Sequence, residues 1–130
     1  MSAEGTGNAP FTGYSRAVLD HFQHPRNVGE LPGATASAEV SNPVCGDVLR
    51  LAVILSEGKI TEARFLARGC AAAIAAGSLL TELLRGGTLA EARAITPERI
   101  STLLGGLPPA SFHAASLAGE GIAALLKRLG

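Results

Sequence analysis

Residues 70–84 read CAAAIAAGSLLTELL, and no other stretch constrains the fold as strongly. Its polar residues are Ser78, Thr81 and Glu82, too few to give a helix a solvated face. A helix of this composition is predicted to be buried nearly all round, with Gly86-Gly87 stopping it. Before Gly69 the hydrophobic pattern changes to strict alternation. VLRLAVIL (48–55) alternates Leu49, Leu51, Val53 and Leu55 against Arg50, and ITEARFLA (60–67) sets Ala63, Phe65 and Ala67 opposite Glu62 and Arg64. Gly58 in EGK (57–59) supplies the turn, so the pair predicts an antiparallel hairpin with one buried face.

The flanking segments complete the plan. YSRAVLDHFQH (14–24) reads as an amphipathic helix with Ala17, Val18, Leu19 and Phe22 on its apolar face, ended by Pro25. RNVGELPGATASAE (26–39) reads as loop or short edge strand, the strand itself expected near 36–42. Thr88 with Glu91 forms a capping box for a short helix, and Thr96-Pro97 opens another. LPP (107–109) reads as a rigid extended stop before the closing helix of 111–129, where Lys127 and Arg128 suit the negative end of the dipole. Helix, then strands, then helices predicts an α+β fold: a small three-stranded antiparallel sheet with helices 70–84 and 111–128 packed on one face. Residues 1–12 read as a flexible tail, and 13–130 as a single domain.

Charge excludes two classes of partner. Lys plus Arg and Asp plus Glu number 11 each, so no surplus is available to neutralise nucleic-acid phosphates or an anionic membrane surface. The first residues carry no signal-peptide pattern, and the longest apolar run, Cys70 to Ala76, is far too short to cross a bilayer. A cytoplasmic location follows as the expectation. There the two cysteines read as reduced thiols, with a disulfide as the rival reading.

Cys45 and Asp47 lie in NPVCGDV (42–48), the loop leading into the first hairpin strand. Cys70 follows the second strand, and His113 falls in the first turn of the closing helix. A hairpin returns the chain on itself, so Cys45 and Cys70 are expected to be neighbours. Helix N-termini favour thiolate over thiol. Taken singly, Cys70 reads as a small buried residue, His113 as a surface or capping histidine and Asp47 as a turn residue. Taken jointly, two Cys, one Asp and one His form a tetrahedral donor set for zinc or iron. His21 and His24 form a second pair, for which a favourable place at a helix C-terminus is the better reading. No nucleophile–base pair with a substrate pocket is legible, so the chain is not expected to be an enzyme.

VLDHFQHPRNVG (18–29), NPVCGDV (42–48), ARFLARGCAAAIAAGSLLTELLRG (63–86), LPP (107–109) and FHAASLA (112–118) together resemble the IscU/NifU N-terminal family of iron–sulfur cluster assembly scaffolds, SufE/NifU-like in fold. The resemblance runs from about Tyr14 to Leu129. It implies that Cys45, Asp47, Cys70 and His113 hold zinc in the resting protein, or iron or a [2Fe–2S] cluster. It also implies a cysteine desulfurase as sulfur donor, acceptor apo-proteins as recipients, and an Hsp70-type chaperone with its co-chaperone. The sequence departs from the family at two places: Ala114 stands where the third cysteine is expected, and Ser111 replaces the lysine of the chaperone motif. The insertion of the zinc-dependent SufU branch is absent. Two functions are therefore expected to compete. One is a scaffold or carrier of a labile cluster, and the other a paralogue that binds zinc as a structural or regulatory module. A weaker third is a relay accepting persulfide on Cys45 or Cys70.

Overall fold

The computed structural model describes residues 13–43 and 46–129, so the expected tail (1–12) and Cys45 lie outside the described residues. The elements are α1 (Arg16–Gln23), β1 (Ala36–Asn42), β2 (Asp47–Ser56), β3 (Lys59–Arg68), α2 (Ala71–Leu84), α3 (Leu89–Arg93), α4 (Pro97–Leu103) and α5 (Phe112–Leu129). The strands form one antiparallel sheet in the order β1-β2-β3, which is the α+β architecture read from the hydrophobic pattern. Ser56 pairs with Lys59 across a two-residue turn, in which Glu57 and Gly58 both take positive φ (53° and 79°), as a tight hairpin requires.

Alternation puts Leu49, Leu51, Val53, Ala63 and Phe65 inside, while an irregularity in the ladder at Ile54/Leu55 leaves Leu55 only half-buried. On the inner face α2 lies chiefly over β3 and α5 over β1, with α1 against the outer side of α2. That sandwiching is why α2 is buried on almost every side. Its closest approach to the sheet depends on Gly77, where a Cβ would fall 2.6 Å from Phe65 Cδ2. Both expected caps are present: Thr88 and Glu91 close a reciprocal box on α3, and Thr96 accepts from the Arg99 N–H ahead of α4.

Two local readings are corrected. On α1 the buried residues are Val18 and His21, whereas Ala17, Leu19 and Phe22 are only half-buried. His21 is drawn in by the polar residues of α2: its Nδ1 lies 2.8 Å from Ser78 Oγ, which also accepts from the Arg26 N–H at 2.9 Å. His24 is exposed, and neither histidine belongs to a group of potential metal ligands among the described residues. LPP is extended only through Pro108. Pro109 opens a 3₁₀ turn (Pro109–Ser111), since proline suits the first position of a helical turn and the Ser111 N–H can reach Pro108 O at 2.8 Å. Among the described residues no helix is long and apolar enough to cross a membrane.

Candidate metal centre

The site lies at the open end of the β2–β3 hairpin, opposite its turn. Asp47 is the first residue of β2, Arg68 the last of β3, and Val48 pairs with Arg68, so Asp47 and Gly69 must meet beside the strand ends. Gly69 has φ +138°, and a Cβ on it would fall 2.0 Å from Asp47 Oδ1. No side chain fits there, and only glycine adopts that backbone freely. With the gap left open, the Asp47 carboxylate tucks under the turn and is 2% exposed. Cys70, half-buried, is the N-cap of α2 and makes no side-chain cap bond, so its sulfur is left to face the carboxylate. His113 arrives from the first turn of α5.

Three donor atoms converge. Cys70 Sγ lies 3.4 Å from Asp47 Oδ2, His113 Nε2 lies 3.1 Å from the same oxygen, and Sγ and Nε2 are 3.7 Å apart. The second carboxylate oxygen accepts from the Cys70 N–H at 3.2 Å, which fixes the plane of the group. The other ring nitrogen of His113 lies 3.1 Å from Ala110 O. A carbonyl can only accept, so Nδ1 donates to Ala110 O, and Nε2 is the nitrogen that faces Asp47 and Cys70. A backbone acceptor on the far nitrogen is the usual way a ligating histidine is oriented.

Burial pushes the Cys70 thiol up, and the neighbouring carboxylate of Asp47 adds to the rise. The Ala73 and Ala72 N–H groups at the start of α2 act in the opposite sense, because they stabilise a thiolate. Burial thus outweighs the helix N-terminus, and the thiolate expected from the position of Cys70 at the start of α2 is not favoured.

The donor set fits a metal ion. Ligands at the usual zinc distances, about 2.0–2.3 Å, with tetrahedral angles stand roughly 3.3–3.8 Å from one another. The observed separations of 3.1, 3.4 and 3.7 Å match the edges of one face of such a tetrahedron within a few tenths of an ångström. Asp47, Cys70 and His113 also form the one group of potential metal ligands found among the described residues. A cavity of about 220 Å³, lined in part by Pro43, His113, Ser116 and Glu120, opens beside the histidine.

Of the four residues singled out from the sequence, the structure brings together Asp47, Cys70 and His113, and Cys45 lies outside the described residues. Ala114 is 1% exposed and packs with Ala72 and Ala73, with Cys70, Tyr14 and Leu107 at its edge. Sequence reasoning missed two supporting parts. The cradle role of Gly69 was signalled only by Gly-Cys at a strand end. The carbonyl of Ala110 has no signature, since any residue supplies one.

Fold and site together define a small α+β domain presenting a Cys/Asp/His donor set at the open end of its hairpin, beside two helix N-termini. Residues 13–128 match the family model described as NifU-like N terminal domain, and the chain belongs to that family. It is 42% identical over 118 residues to the iron-sulfur cluster assembly scaffold protein IscU of Azotobacter vinelandii, covering 88% of this chain and 91% of that protein. The IscU of Escherichia coli K12 is 42% identical over 117 residues (87% and 91%). IscU 1 of Archaeoglobus fulgidus is 42% identical over 109 residues (84% and 71%). In three dimensions the chain is similar to the N-terminal NifU-like protein of Brucella abortus (TM-score 0.73, 19% identity, 92% and 95% covered). It is similar also to the putative SUF-system scaffold of Fervidobacterium islandicum AW-1 (TM-score 0.76, 19% identity, 91% and 99%). At that identity the two structures speak to the fold alone.

Proposed function

We propose that this chain is a scaffold or carrier of iron–sulfur cluster assembly. It holds iron or a labile [2Fe–2S] cluster as cargo at Cys45, Asp47, Cys70 and His113 and passes it to acceptor apo-proteins. The observation that carries this reading is the convergence of three donor atoms, set 3.1–3.7 Å apart, on a turn that only Gly69 permits. The kinship with proteins named as IscU scaffolds supports the choice of cargo.

Each residue has a definite task. Cys70 supplies a thiolate once its proton is displaced. Asp47 accepts hydrogen bonds from the Cys70 N–H and Sγ–H, and offers Oδ2 to the incoming cation. His113 offers Nε2 while Ala110 O holds its Nδ1 proton. Cys45, two residues before Asp47, is the fourth ligand. Mixed ligation by thiolate, imidazole and carboxylate has precedent in part in clusters with histidine on one iron. Carboxylate is a poorer partner for iron–sulfur centres than thiolate, so a cluster held this way is more readily released. Sulfur comes from a cysteine desulfurase partner. An Hsp70-type chaperone remains a candidate partner despite Ser111 in its motif. The protein works by holding and handing over, without turnover of its own, in the reducing cytosol where Cys70 stays a free thiol.

A second reading has its own support: the tetrahedral spacing suits one ion, and zinc bound there stabilises the fold without sulfur chemistry. Anaerobic reconstitution with iron, sulfide and a cysteine desulfurase, followed by visible absorbance, tells the two apart. Cluster bands that disappear on adding an apo-acceptor are expected. Zinc uptake with no such bands would leave the zinc module as the function.

A further inference from the structure

We infer that Tyr14 is a positioning residue for His113, an inference that rests on the metal-centre reading above. Tyr14 Oη lies 3.2 Å from Ser111 Oγ, a contact between residues 97 apart in the chain. Ser111 is 8% exposed, so that hydroxyl has little water to turn to. It closes the 3₁₀ turn Pro109–Ser111, and the preceding residue in that turn, Ala110, provides the carbonyl that holds the Nδ1 proton of His113. The orientation of the imidazole therefore passes through Ala110 to a turn whose last residue is tied to Tyr14.

The neighbouring residue makes the tie a clamp. Ser15 Oγ donates to Leu104 O and accepts from the Val18 N–H at 3.1 Å, so it caps α1 and holds the start of the loop at once. Two consecutive residues thus grip the segment 104–111 at both ends. Tyr14 also packs against the small cluster of Ala72, Ala73 and Ala114, which joins the starts of α2 and α5, the helix ends that carry Cys70 and His113. Position 111 is also where this chain departs from its family resemblance, and a serine there can meet the phenol.

The test uses the full chain with Tyr14→Phe, Ser111→Ala, their double variant and Ser111→Thr. It reads the His113 tautomer from imidazole nitrogen shifts, and zinc affinity by competition with a chromophoric chelator. Loss of a ligand-orienting partner weakens metal binding by about 10–100-fold. One bond further out, Tyr14→Phe and Ser111→Ala should each weaken zinc by about 3- to 10-fold and lower the Nδ1–H population of His113. The double variant should be no worse than either single one, and Ser111→Thr should behave as the native protein. Thr96→Ala, which removes a distant helix cap, should lower Tm without moving either readout. Unchanged zinc affinity and tautomer in Tyr14→Phe, with only Tm reduced, would overturn the inference, as would independent losses that multiply in the double variant. If the native protein takes up no zinc, the zinc reading fails, and the tautomer shift in the variants still decides the role of Tyr14.

Discussion

Replacing Gly69 with alanine measures how tightly the centre is built. The residue sits at φ +138°, where an L side chain costs about 1–3 kcal/mol of backbone strain. The new methyl would lie 2.0 Å from Asp47 Oδ1, 2.6 Å from its Cγ and 3.0 Å from its Cα. Asp47 is 2% exposed and cannot swing into solvent, so either the carboxylate or the hairpin end must shift. Such overpacking costs about 1–3 kcal/mol more. The sum is about 4 kcal/mol, and at roughly 3–5 °C per kcal/mol for a domain of this size Tm falls by about 12–20 °C. Gly58→Ala is the matched control: φ is +79° and no atom lies within 4 Å of the added methyl, leaving only the left-handed cost of about 1–2 kcal/mol. The assay is thermal and urea unfolding of both variants with and without zinc. Removing the obstructing carboxylate with Asp47→Ala in the Gly69→Ala background should recover about 1–2 kcal/mol relative to additivity. If Gly69→Ala is no more destabilising than Gly58→Ala, the close approach of Asp47 does not govern the site and the reasoning fails.

Cys70→Ala and His113→Ala should each cut zinc affinity by more than the roughly 10–100-fold that an outer partner costs, measured by chelator competition. Zinc at 100 times its Kd should add about 2.7 kcal/mol of stability, visible as a raised Tm that a chelator reverses. Ala114→Cys adds little volume at a position packed beside Cys70 and should cost less than about 1.5 kcal/mol; it should lengthen the lifetime of the reconstituted cluster, and zinc uptake with no gain in cluster absorbance would count against the scaffold. Burial holds the His21 imidazole below its ordinary value of 6.5, reinforced by Arg26 and opposed by Glu82 and Asp20. The unfolded chain therefore takes up its proton first as pH falls through about 6.5, so stability is full above that value and declines below it until the folded histidine titrates. Comparing Tm against pH for the native protein and His21→Asn should show a shallower decline in the variant.

Much of the fold was legible because it follows from local patterns. Alternation through 48–67 fixed which hairpin face is buried, and the scarcity of polar groups in 70–84 required a helix enclosed on most sides. The caps at Thr88 and Thr96 were equally readable, since a cap is a contact between residues three apart. Reading failed where distant groups set the outcome. His21 looked like a terminal residue of a surface helix, yet Ser78, 57 residues away, gives it a buried partner. The donor residues of the centre could be proposed from their places at strand and helix ends, because chain reversal in a hairpin brings such ends together. Local sequence determined the elements and the kinds of side chain offered at the candidate site, through periodicity, turn chemistry and side-chain type. Tertiary structure alone decided the separations of 3.1–3.7 Å, the room that Gly69 leaves for Asp47, and the hydrogen bonds aiming His113. Those depend on where β2, α2 and α5 come to rest against one another, which packing across the whole core sets and no short stretch of chain encodes.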